Sequence, residues 1–168
     1  MPHNDAETRP ATDPDLKSQI LREAVAIASG QPGGTLATLH AEDGTPYVTF
    51  VFFHMDDEGR ILFGSRPGPQ HTRNILGTPE VSFLIDNRQI IAEDWMRFDR
   101  VVVEGVATPV AKANPLYPGL LEALRGKNAL AARFTEEGIL FCLTPRRLVL
   151  RKGVHPERNV IEFEQADE

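Results

Sequence analysis

Residues 62–76, LFGSRPGPQHTRNIL, concentrate side chains that can hold an anion. Ser65 and Arg66 end a β-like run, a Gly/Pro turn follows, and Pro69 suits the first turn of a helix. That turn carries partial positive charge and favours acids. Here it holds Gln70, His71, Thr72 and Arg73, with no carboxylate before Glu80. Free backbone N–H groups, a hydroxyl and two guanidiniums in this order suit a phosphate. The same residues also fit a solvated basic helix end, and composition does not choose between the two.

Other protein-borne chemistry is scarce. His3, His40, His54, His71 and His155 stand at no metal-ligand spacing with one another or with Cys142, and there is no H-E-x-x-H. Asp56, Asp57 and Glu58 lack the ligand run of a calcium loop and read as a turn. Cys142 lies in an apolar run and reads as a buried, inert thiol; a lone cysteine also excludes a disulfide framework. No G-x-S-x-G, S-x-x-K or Cys/His pairing marks a nucleophile. Gly30, Gly33 and Gly34 precede a strand rather than follow one, so they form neither a P-loop nor a dinucleotide-binding turn. Trp95 reads as a loop anchor or, alternatively, a ring-stacking residue. Such a chain, if an enzyme, leaves the hard chemistry to a cofactor.

The elements that position these residues follow from pattern. The 168 residues, 41% hydrophobic and 25% charged, describe one globular domain. Eighteen basic against 24 acidic residues give a net charge of −6, which argues against nucleic acid as a partner. No apolar run reaches the roughly 18 residues of a membrane span, and the start of the chain has no apolar segment of a signal peptide. A cytoplasmic location is the expectation. Residues 1–14 read as a disordered tail, and Leu16, Ile20, Leu21, Ala24, Ile27 and Ala28 mark an amphipathic helix over 15–28. Strands are expected at 35–40, 47–54, 60–65, 80–86, 100–110, 138–143 and 147–152, with Gly105 a bulge or bend. Helices are expected at 70–76 and at 114–134, the latter broken by Pro118 and near Gly126. A loop over 87–99 packs over something. Few short helices among many strands make a mainly β (α+β) small barrel. The strand 47–54 is apolar on both faces, so a second subunit is expected to cover it.

The runs TLATLHAEDGTPYVTFVFF, GRILFGSRPGPQHTRNILGTPEVSFLID and RVVVEGVA, in this order, resemble the pyridoxamine 5'-phosphate oxidase-like family of FMN-binding split β-barrels. The resemblance is greatest to the branch that includes haem-utilisation and flavin reductase-like proteins. It covers residues 35–110 and 138–152, and the block S-R-x(3)-Q-H-T-R-N-x-L-x(2)-P-x-V-S carries it. It implies a six-stranded antiparallel split β-barrel with short flanking helices, over 15–155, with 156–168 a C-terminal tail. It also implies a homodimer with shared FMN sites at the subunit interface.

By position, the resemblance implies that Ser65 and Arg66 hold the FMN phosphate and that Gln70 and His71 complete that pocket. Arg73 and Asn74 belong to the block, Asn74 being readable as a helix-packing residue instead. Thr49, Phe50 and Val51 fall on the strand lining the isoalloxazine ring. Arg100 takes a ring-contacting polar position, and Trp95 closes the site from the neighbouring subunit. A lysine that many relatives carry near the phosphate is missing here. So is the long C-terminal segment with which pyridoxamine phosphate oxidases grip substrate phosphate. The implied function is therefore FMN-dependent redox of a small molecule rather than that oxidase activity. The alternative is a haem-binding or deazaflavin-binding barrel, with His155 the iron-ligand candidate for haem. A purely structural dimer that binds no cofactor is the third reading.

Overall fold

The computed structural model describes residues 8–164. The expected tail at 1–14 lies outside the described residues up to residue 7. Beyond that it is corrected: Thr8–Pro10 forms β1. Helix α1, Pro14–Ser29, follows with Pro14 at its first position. The Asp13 carboxylate caps it, accepting from the Asp15 N–H at 3.0 Å. Its apolar stripe buries Ile20, Ala24 and Ala28 against the barrel.

Strands β2, Gly33–Leu39, and β3, Pro46–Phe52, form the first hairpin. Gly44 takes φ 71° in its turn, a left-handed conformation that favours glycine. The expected strand 47–54 bends at Phe53. Its ring is fully buried and packs edge-on against Phe83, with centroids 5.1 Å apart. The strand resumes as β4, His54–Met55, which pairs with β5, Ile61–Ser65, instead of β2. After α2, Gln70–Gly77, come β6, Glu80–Asp86, and β7, Arg100–Val110. The segment between β6 and β7 is no open loop: α3, Ile91–Asp94, sits between 3₁₀ turns at Arg88–Ile90 and Trp95–Arg97.

The helical stretch expected at 114–134, with breaks at Pro118 and near Gly126, is two helices, α4, Tyr117–Lys127, and α5, Ala129–Glu136. Pro118 lies in the first turn of α4, where its missing N–H is harmless. The break falls at Asn128, whose Oδ1 accepts from the Ala131 N–H at 2.9 Å. The two expected C-terminal strands are one, β8, Ile139–Arg151. Pro145 is tolerated because β8 changes partners there: β5 pairs up to Leu143, and β9, Arg158–Glu162, pairs from Arg147. Opposite Pro145 stands Gly105, where β7 shifts register between Glu104 and Gly105. A Cβ on Gly105 would lie 2.1 Å from the Thr144 carbonyl oxygen.

The pairings β2–β3, β4–β5, β5–β8, β8–β7, β7–β6 and β6–β2 run around a split barrel. Phe53, Phe63, Phe83 and Phe141 fill it. A second core of Leu62, Tyr117, Leu121, Leu124 and Leu140 lies under α4 and α5. Among the described residues the strand count is nine rather than six, because the expected strand 47–54 divides into β3 and β4 and because β1 and β9, a parallel pair, extend the sheet beyond β8. The expected C-terminal tail is thus corrected over Arg158–Glu162: Val160 and Ile161 are buried. Among the described residues no helix is long and apolar enough to cross a membrane.

Candidate functional site

Strand β5 is buried on both sides and delivers Ser65 to the base of a cavity of about 330 Å³. Two glycines let its neighbours close in behind. A Cβ on Gly64 would lie 1.6 Å from Thr135 Oγ1, and one on Gly138 would lie 2.2 Å from the Ser65 carbonyl oxygen. The Ser65 hydroxyl is 2.8 Å from His71 Nε2 and 2.7 Å from Thr72 Oγ1, while Thr72 donates to the Arg66 carbonyl at 2.8 Å. These contacts fit one relay, in which His71 Nε2–H donates to Ser65 and Ser65 donates to Thr72. Ser65 and Thr72 are buried, and burial holds the His71 pKa below its ordinary value, favouring the neutral ring.

Arg66 stands at the rim with its guanidinium over the Phe134 ring, 4.9 Å from the centroid. Among the described residues no carboxylate pairs with it. Helix α2 begins beside it without a side-chain cap or an acid in its first turn. The apolar side of the cavity comes from Phe50, Val51 and Phe52 of β3 with Ala131 and Phe134 of α5. Phe50 is 60% exposed, its ring lying where a Cβ on Gly33 would come within 2.1 Å.

The structure therefore gathers Phe50, Val51, Ser65, Arg66 and His71 around one cavity. The other expected site residues are not among those lining it. Thr49 is half-buried on β3. Gln70 turns to the far side of α2, bonding His40 Nδ1 at 3.1 Å and Asn74 Oδ1 at 2.8 Å. Arg73 donates to the Gly68 carbonyl and to Gln70 and is exposed. Asn74 is buried and donates to Thr38 Oγ1 at 2.9 Å, which is the helix-packing alternative. Arg100 lies over Phe98 and donates to the Gly153 carbonyl at 3.1 Å. Trp95 is 61% exposed. Ala131 and Phe134 were not foreseen, because nothing local in α5 says that it docks on the end of β5.

Among the described residues no three His, Cys, Asp or Glu side chains cluster to hold a metal. Cys142 is half-buried rather than buried, and burial pushes its thiol pKa up, away from nucleophilic chemistry. A larger groove of about 530 Å³ crosses the outer face of β2, β6, β7 and β8. Its charges answer one another: Arg147 lies 3.6 Å from Glu104 and 3.1 Å from Glu162.

The family model of pyridoxamine 5'-phosphate oxidase matches residues 20–152. No curated protein sequence matches the chain. Among solved structures, a heme-binding protein from Mycobacterium smegmatis superposes with a TM-score of 0.74 at 22% identity, over 85% of this chain and 57% of that one. HutZ, the heme storage protein from Vibrio cholerae, gives 0.64 at 21% identity, over 80% and 96% of the two chains. An FAD-binding protein from Mesorhizobium loti gives 0.61 at 18% identity, over 76% and 88%. These likenesses bear on the fold. With four-fifths of its length under one family model and a split barrel closed by the pairings above, the chain belongs to the pyridoxamine 5'-phosphate oxidase family.

Proposed function

We propose that this protein is a flavin-dependent oxidoreductase that holds FMN in the cavity at Ser65, Arg66 and His71 and acts on a small molecule as a homodimer. One observation carries the reading: a guanidinium with no carboxylate partner among the described residues stands beside a Ser–His–Thr relay, at the end of an otherwise apolar cavity. That division suits a ligand with an anionic end and a flat, largely apolar ring. Bound FMN would supply hydride transfer at its ring. The chain's own part is to bind and orient. Arg66 meets the phosphate, His71 donates to it from Nδ1 only on taking up a proton there, since its Nε2–H serves Ser65, and β3 lines the ring. No side chain of the cavity is assigned as acid or base. A second copy of the chain would cover Val48 and Phe50, which are 64% and 60% exposed on β3.

The test is the visible absorption spectrum of the purified protein, before and after adding FMN, with the mass of any released cofactor. A retained or restored FMN spectrum is the expected result. A haem band, a deazaflavin mass or no binding at all would overturn the FMN assignment and leave the fold untouched.

A further inference from the structure

Helix α2 carries His71 and Thr72 to the cavity, yet its own residues do little to fix how it is turned about its axis. It is eight residues long, with no side-chain cap and no acid in its first turn. A helix this short is unstable alone, so tertiary contacts set its place. On one side these are the bonds of His71 and Thr72 with Ser65 and the Arg66 carbonyl. On the other side a second set of hydrogen bonds leads away from the cavity.

Gln70 and Asn74, one turn apart, share that second face. Gln70 Nε2 donates one hydrogen to Asn74 Oδ1 at 2.8 Å and the other to His40 Nδ1 at 3.1 Å, while its Oε1 accepts from Arg73. Asn74 Nδ2 donates to Thr38 Oγ1 at 2.9 Å, and both of these residues are buried. His40 follows the end of β2. Its N–H donates to the Thr45 carbonyl at 2.9 Å, and its ring meets Tyr47 of β3 edge-on, with centroids 5.6 Å apart. The set therefore ties α2, which bears the polar side of the cavity, to the strand that supplies Phe50 and Val51 to its apolar side.

We propose that His40, Gln70 and Asn74 are positioning residues for the cavity: none of them lines it, and together they hold α2 in the rotation that keeps His71 on Ser65. Neighbouring helical positions stand about 100° apart, so a fraction of that turn separates the His71 ring from the Ser65 hydroxyl. A buried network that loses one member leaves the others unpaired, and a short helix without a cap finds new partners by turning. The consequence for FMN rests on the function proposed above; the consequence for His71 does not.

The test uses the full chain and two substitutions at half-buried His40. His40→Phe keeps a ring against Tyr47 and removes the acceptor; His40→Asn restores an acceptor near the place of Nδ1. The first readout is the His71 ring titration by NMR without FMN, its signal assigned by its loss in His71→Gln. Burial holds the His71 pKa below 6.5 in the parent. It should rise toward 6.5 in His40→Phe and return in His40→Asn. A merely structural role would lower Tm and leave that titration in place. The second readout is FMN affinity, expected to fall about 3- to 10-fold in His40→Phe, as for one lost hydrogen bond, and to recover in His40→Asn. Gln70→Leu should reproduce His40→Phe in both. A His71 titration that stays at the parent's value in His40→Phe and Gln70→Leu would overturn the proposal. Failure of the parent itself to bind FMN would overturn the cofactor assignment instead, and the titration would still decide the role of the three residues.

Discussion

Arg66 carries a permanent positive charge at the polar end of the cavity, and Phe134 beneath it keeps the guanidinium in place. Its removal leaves the barrel core untouched. Arg66→Ala should therefore melt like the parent yet bind FMN roughly 10- to 100-fold more weakly, as for a lost charge-assisted hydrogen bond. Undiminished flavin content in that variant would refute the assignment. His71 gives a pH signature. Burial lowers its pKa below the ordinary 6.5, and burial with the nearby Lys127 does the same for His54. In the unfolded chain both rings take up protons near their ordinary value, while the folded chain resists until lower pH. Their contribution is therefore full above pH 6.5 and is lost as pH falls through the depressed folded values. Melts between pH 8 and pH 5 should show declining stability on the acid side, and His71→Gln should flatten part of the decline. At this scale the strand end at Ser65–Arg66 and the basic, acid-free helix start after it were legible, because turn and helix-start chemistry is local. Which of its side chains face the cavity was not. Gln70 and Arg73 turn away because consecutive helical positions fan around the axis.

At the scale of elements, the site rests on how closely β8 approaches β5. Gly138 begins that approach, and a side chain there would strike the Ser65 carbonyl, which is backbone and cannot swing aside. Gly138→Ala should lower stability by about 1–3 kcal/mol, a fall in Tm of roughly 2–10 °C, and should weaken FMN binding by displacing Ser65. A variant that matches the parent in both respects would show that the glycine is dispensable. Gly105 was readable as a bulge from its place in an otherwise β-branched run, and the register shift lies there. Pro145 was misleading for a physical reason. A proline ends a strand only where its missing N–H is needed, and β8 changes partners at that point.

For the whole molecule, the proposed homodimer places the exposed side of β3 under a second copy. Light scattering at micromolar concentration should give twice the chain mass. Val48→Asp puts a charge on a residue 64% exposed in the single chain, so the monomer's fold should survive. The dimer should dissociate at least ~10-fold more readily, as expected when an unpaired charge is forced into an interface. Unchanged mass in this variant would move the contact elsewhere. Retention of FMN by the resulting monomer would separate cofactor binding from assembly.

The sequence by itself determined the strands from 33 to 110 that build most of the barrel, where the first hairpin turns, and that a Ser–Arg strand end leads into a capless basic helix. Each is written in neighbouring residues, through period, turn chemistry and helix-end charge. It also carried the block whose resemblance pointed to the family. Only the tertiary structure decided that the strand 47–54 serves two partners by bending at Phe53. The same holds for Phe134 beneath Arg66. These depend on register between distant strands, which period-two alternation leaves open until the whole barrel closes around its phenylalanine core.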